Sequence, residues 1–170
     1  MFEIVKLLFN ICLFRKGPQD LPHSPRLFWI VVLIYAGISF LMLNIDLHWT
    51  FALLQTLASI LLAVVFSWTM LYLGRKSARF YQTACSLLGA DALISFFTLP
   101  ATATIVTGRL AWLALVVMVV SMVWYWAVAG HIIRNALEKT MGFSLGLAFL
   151  YILVSYQVMA VLFPEVAGLK

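Results

Sequence analysis

Residues 110–133 read LAWLALVVMVVSMVWYWAVAGHII, twenty-four positions without one Asp, Glu, Lys or Arg. As a helix this stretch is about 36 Å long, more than the roughly 30 Å hydrocarbon core of a bilayer. It is apolar on every face, so it has no side to turn toward water. It therefore reads as a transmembrane helix.

Working outward, the same reading applies four more times. Leu27 to Ile45 gives nineteen residues without a charge and Leu47 to Gly74 gives twenty-eight. Phe80 to Gly108 gives twenty-nine, interrupted only by Asp91, and Thr140 to Pro164 gives twenty-five. These predict five spans, at 26–44, 50–73, 80–99, 110–132 and 142–163. Pro100 is expected to end the third, with Thr98, Thr102, Thr104 and Thr107 making a polar, uncharged loop beyond it. The connections are short, so successive helices should be antiparallel neighbours.

The composition agrees. Of 170 residues, 65% are apolar and 10% are charged, against about 45–50% and 25% in soluble domains. The mean hydropathy is +1.07. These values exclude a water-soluble globule, a disordered chain and a disulfide-stapled secreted module. The net charge of +5 would suggest nucleic-acid binding in a soluble protein. Here it reads as a topology signal and a contact to anionic headgroups, with no nucleic-acid partner. Cys12 and Cys85 stand in apolar surroundings without a C-x-x-C spacing and read as free, buried thiols.

Lys and Arg set the expected orientation. Lys6, Arg15, Lys16 and Arg26 precede span one. Arg75, Lys76 and Arg79 fill the second loop, and Arg134 and Lys139 the fourth. Only Arg109 and Lys170 fall on the other side. Nine positives against two place the N-terminus in the cytoplasm and the C-terminus outside. Trp29, Trp68, Tyr72, Phe80, Tyr81, Trp124, Tyr125 and Trp126 are expected at the cytoplasmic headgroup level, with Trp49 and Trp112 at the outer one.

Residues 1–25 differ from the rest and are read as a separate unit before the membrane domain, 26–170. Glu3, Lys6 and Asn10 form one narrow polar stripe in an otherwise apolar stretch. That pattern suits an amphipathic helix in the cytoplasmic interface, either packing on the bundle or docking a partner. Arg15-Lys16-Gly17-Pro18-Gln19-Asp20-Leu21-Pro22-His23-Ser24-Pro25 follows. Its prolines and glycine forbid a continuous helix, and Ser24-Pro25 reads as the cap and first position of span one. Arg15, Lys16, Asp20 and His23 are the candidates for docking a cytosolic partner; the alternative is a plain elbow.

Asp91 is the sharpest chemical feature. It falls near the midplane, where an ionised carboxylate costs about 2.5–3.5 kcal/mol on insertion scales. Ser95 lies at i+4 on its own helix; Gln55, Ser121, Tyr156 and Gln157 are other polar candidates. No basic residue is expected at its depth. It reads as either a proton or cation site or a neutral acid hydrogen-bonded between helices. Cys85/Gly89 and Ser86/Ala90 place small residues four apart in the same span. Gly142 and Gly146 form a G-x-x-x-G, which is read as packing within the chain before dimerisation. His23, His48 and His131 read as interfacial residues. No metal or cofactor is expected. The chain has no H-E-x-x-H, G-x-S-x-G or phosphate-binding glycine loop, and no enzyme activity is indicated.

From Arg26 onward the plan resembles the Yip-type five-helix membrane domain family. The resemblance rests on Gly74-Arg75-Lys76-Ser77-Ala78-Arg79-Phe80-Tyr81-Gln82, on Phe97-Thr98-Leu99-Pro100, and on the stretch from Trp124 to Arg134. It implies five closely spaced helices with a cytosolic N-terminus, and a role in organising membrane complexes. The long polar N-terminal region of eukaryotic members is not seen before span one, which puts a Rab-GTPase partnership in doubt. The compact loops suggest a bacterial inner-membrane protein.

The expectation is thus an all-α polytopic protein with five transmembrane helices and an N-terminal interfacial helix. The function expected first is a non-enzymatic accessory or scaffold subunit, partnered by the bilayer and by other membrane subunits or itself. The alternative is a small transporter or proton-coupled channel using Asp91.

Overall fold

The computed structural model describes residues 2–45, 48–106 and 111–163. Six α-helices follow one another: α1 Phe2–Cys12, α2 Pro25–Leu43, α3 Trp49–Leu73, α4 Phe80–Val106, α5 Ala111–Leu137 and α6 Met141–Leu162. The last five are each long and apolar enough to cross a membrane. The chain is a multi-pass, all-helical membrane protein. Arg109 and Lys170, which entered the orientation reading, lie outside the described residues, as does Thr107.

α4 is the centre. Its mean hydropathy, 1.5, is the lowest of the five spans, and 56% of it is buried, against 28% or less in the others. Positions 83–90 are buried without a break. They include Ala84, Cys85, Ser86 and Ala90, the small residues that let neighbouring backbones come close. α2, α3 and α5 pack on α4, while α6 packs on α5 and α3. The outward faces of α2, α3, α5 and α6 carry exposed Leu, Val, Phe and Trp, as a lipid-facing surface requires.

Pro100 does not end the third span. α4 runs through it to Val106, and hydroxyls on either side of the proline fold back onto carbonyls of the same helix. Thr98 Oγ1 donates to the Ser95 carbonyl at 3.0 Å and Thr102 Oγ1 to the Thr98 carbonyl at 3.2 Å. Threonines expected in a loop therefore support a helix. α5 likewise continues to Leu137. Trp124, Tyr125 and Trp126 consequently lie halfway along it rather than at its end. They face polar partners inside the bundle: Trp124 Nε1 donates to the Cys12 carbonyl at 3.0 Å and Trp126 Nε1 to the Leu145 carbonyl at 2.9 Å.

α1 packs on α4 and α5. Leu8, Ile11 and Cys12 are buried, while Glu3 and Lys6 remain exposed. Leu8 lies over Gly89, where a Cβ would come within 2.7 Å of its Cδ2. Gly89 is nine residues past the start of α4, so the contact sits about 13 Å along that helix. Burial pushes the Cys12 thiol up to about 11, against a weaker lowering by a backbone hydrogen bond.

The elbow is ordered by local bonds. Asp20 Oδ2 accepts from the Gly17 N–H at 2.9 Å around one turn of 3₁₀ helix, Pro18–Asp20. Ser24 Oγ caps α2, accepting from Leu27 N at 3.4 Å, with Pro25 in the first turn. At this end three helices close on left-handed, non-glycine residues: Phe14 (φ 61°), Arg75 (φ 54°) and Glu138 (φ 56°). Each closure carries the same long backbone bond: Arg15 N to Asn10 O, Lys76 N to Leu71 O and Lys139 N to Arg134 O.

Candidate intramembrane polar site

Asp91 is the twelfth residue of α4, about 16 Å from its start. Its carboxyl lines a cavity of about 290 Å³ within the bundle. Ser95, one turn on, donates from Oγ to Asp91 Oδ1 at 3.4 Å. The remaining wall comes from the surrounding spans. α2 supplies Tyr35, α3 Gln55 and Ser59, α5 Tyr125, and α6 Tyr151, Ser155 and Tyr156.

The tyrosines organise the site. The Tyr35 hydroxyl faces the Asp91 carboxyl on one side and Ser59 on the other. The hydroxyls of Tyr125 and Tyr151 face each other across α5 and α6. Tyr35 and Tyr151 are buried. Each stands near the middle of its helix, eleventh of 19 and eleventh of 22 residues. A buried hydroxyl needs a hydrogen-bond partner, so each is directed at other polar groups of the site.

No Lys, Arg or His lines this cavity. Among the described residues the carboxyl has no countercharge, and the cavity around it mixes hydroxyls and one amide with the apolar Leu62, Ile152 and Met159. One polar atom is an orphan: Gln55 Oε1 is buried and has no hydrogen-bond partner, while the Ser155 hydroxyl lies toward that of Tyr151. The chemistry is that of a site for a positive charge or hydrogen-bond donors. Among the described residues, no three His, Cys, Asp or Glu side chains converge as a metal set.

The sequence candidates fare differently. Asp91 and Ser95 come together, and Gln55 and Tyr156 join the wall; Ser121 and Gln157 do not. Tyr35, Tyr125, Tyr151, Ser59 and Ser155 were not anticipated. Their signal is the position of three tyrosines at mid-span, which a reading of aromatics as headgroup markers passes over. Gly142 and Gly146 do not pack within the chain: both are exposed, and a Cβ on either would meet nothing within 4 Å. α6 instead turns Ser144 and Ala148 inward. Its close approach to α5 is at Gly130, where a Cβ would lie 2.6 Å from Leu145 Cδ2 and 3.4 Å from its Cα.

Arg15, Lys16, Asp20 and His23 are all exposed, on an elbow tied to the bundle. His131 Nε2 lies 3.0 Å from the Lys16 carbonyl, and Gln82 Nε2 donates to the Leu21 carbonyl at 2.6 Å. The His23 ring stands edge-on to Tyr81, centroids 5.3 Å apart. Arg79, Arg134 and Lys139 surround a polar hollow at the same end. Within it Glu138 pairs with Lys76, and with Arg79 at 2.8 Å.

No family model, curated protein or solved structure matches this chain.

Proposed function

We propose that this protein is a small membrane carrier whose Asp91 cavity binds a cation or a proton. One observation carries the reading: a lone carboxyl deep in the bundle, without a basic partner, lines a cavity walled by Tyr35, Tyr125 and Tyr151 from three other helices. An ionisable group at this depth is costly and calls for a functional reason. The groups that meet Asp91 are the neutral hydroxyls of Tyr35 and Ser95, so in this reading protonation or a bound cation supplies its neutralisation.

The test is proton flux into proteoliposomes under an imposed membrane potential. Wild type should acidify the lumen, and Asp91→Asn should abolish the flux while remaining folded and monodisperse. Equal flux in the two would remove Asp91 from the mechanism. Wild type showing neither proton flux nor uptake of an alkylammonium probe above empty liposomes would remove the carrier reading.

The accessory-subunit reading is favoured by a different observation: Arg15, Lys16, Asp20 and His23 are presented on a fixed elbow beside a basic hollow. It predicts a stoichiometric partner after gentle extraction, lost on Arg15→Glu/Lys16→Glu. In the proposed orientation the basic end is cytoplasmic in a bacterial inner membrane. Reporter fusions after Lys76 and Lys139 should read cytoplasmic, and one at Lys170 external. The Yip-type kinship is proposed on the stretches 74–82, 97–100 and 124–134.

A further inference from the structure

The Asp91 cavity does not stand alone. A second hollow, about 200 Å³, adjoins it between α3 and α6 and shares Leu62, Tyr151 and Ser155 with it. Its other walls are almost wholly apolar: Val65 and Phe66 from α3, Leu150 and Val154 from α6. Val65, Leu150 and Val154 are exposed on the outer face of the bundle, so this hollow opens sideways, toward lipid. From Leu62 to Thr69 it follows α3 for about 10 Å. Tyr151 joins the two parts. Its hydroxyl faces the polar cavity, and its ring lies against Phe66 with centroids 4.5 Å apart.

We infer that the ligand of this site is a single-chain amphipath, with an ammonium headgroup in the Asp91 cavity and an alkyl chain in the groove between α3 and α6. The inference rests on the reading of Asp91 as a cation site and adds the class of molecule and its route of entry. Three observations converge on it. The two hollows are adjacent, sharing Leu62, Tyr151 and Ser155, and the second is almost wholly apolar where the first holds the polar groups. The polar part holds a buried acceptor without a donor, Gln55 Oε1, which an ammonium group with several N–H bonds satisfies. Ser155 stands where the two parts meet, at the point where headgroup gives way to chain. A phospholipid headgroup does not fit, because its phosphate would find no Lys, Arg or His on these walls.

The test is photolabelling of the full chain in nanodiscs of phosphatidylcholine with a diazirine-bearing dodecylamine. The crosslinked residues are then mapped by mass spectrometry. Label is expected at 62–69 and 150–155, competed by excess dodecylamine. Val154→Trp and Val65→Trp fill the groove from its lipid-facing rim. Each should cut the labelling at these positions at least tenfold, as should Asp91→Asn. Loss with Asp91→Asn but wild-type labelling in both tryptophan variants would overturn the groove and leave the cation site standing. Labelling unchanged by Asp91→Asn would remove the cation site itself. Label spread evenly over all lipid-facing helices, as simple partitioning gives, would overturn both.

Discussion

Glu138 holds a left-handed backbone at φ 56° and turns its carboxylate onto Lys76 and Arg79 of the neighbouring loop. Hydrogen bonds from Lys76 and then Arg79, followed by their charges, keep this carboxyl below the usual carboxylate range. A lowered carboxyl contributes stability at pH values above its unfolded-state pKa, and that contribution is lost as pH falls through the folded value. Thermal unfolding in detergent should therefore show a larger loss below about pH 4 in wild type than in Glu138→Gln. Equal losses would mean the pair does not couple the two loops. At the polar site, Tyr35→Phe keeps the ring and removes one hydroxyl from Asp91. A hydrogen bond to a charged group contributes about 1.5–3 kcal/mol. Tyr35→Phe should thus lower the unfolding temperature in detergent relative to wild type, and an unchanged temperature would show that the Tyr35 hydroxyl does not support Asp91. Asp91 was legible as a single residue, because charge in an apolar run cannot be missed. The tyrosines were not: a phenol is equally at home at a headgroup and beside a buried carboxyl, and only helix packing decides which.

Elements come close at several glycines, Gly130 and Gly89 among them. At Gly130 a Cβ would lie 2.6 Å from Leu145 Cδ2 and 3.2 Å from its Cγ, with the Leu145 Cα in contact behind them at 3.4 Å. Gly130→Val should destabilise the α5–α6 pair by about 1–3 kcal/mol, the usual cost of overpacking. Gly142→Val and Gly146→Val, which face open space, should leave unfolding in detergent unchanged. A matching loss in the latter two would show that the stripe packs after all. At Gly89 the neighbour is the tip of Leu8, so a larger residue should lift α1 instead of breaking the bundle. Cys12 reports on this, since its thiol is buried and held protonated. On a Cys85→Ala background, a maleimide should label Gly89→Val at least tenfold faster than the parent; equal rates would show that α1 stays seated. The sequence distinguished α1 by its polar stripe. It could not distinguish the G-x-x-x-G that packs nothing from the lone Gly130 that does, because spacing carries no information about which face a neighbour occupies.

Across the whole molecule, five spans were readable because charge-free runs of this length admit one physical solution in lipid. Their ends were less so. Pro100 and the threonines around it look like a loop when hydroxyls are counted as polar, and like a helix when those hydroxyls bond their own carbonyls. The site was legible only in part for the same reason that it exists: it is assembled from α2 to α6 together, and no single run of sequence contains it.

The lengths of two helices have a further consequence. α2 has 19 residues and α4 has 27, about 29 Å and 40 Å end to end. The first barely matches a hydrocarbon layer of about 30 Å, while the second overshoots it by some 10 Å. Both cross the same layer, so the extra length of α4 is taken up by tilt or by ends that protrude from it. Bilayer thickness then becomes a mechanical variable. A thicker membrane lets α4 rise and strains α2, and a thinner one tips α4 further. Every span that packs on α4 shares in that angle, so the acyl-chain length of the host membrane is a control on the shape of the bundle that no ligand needs to exert.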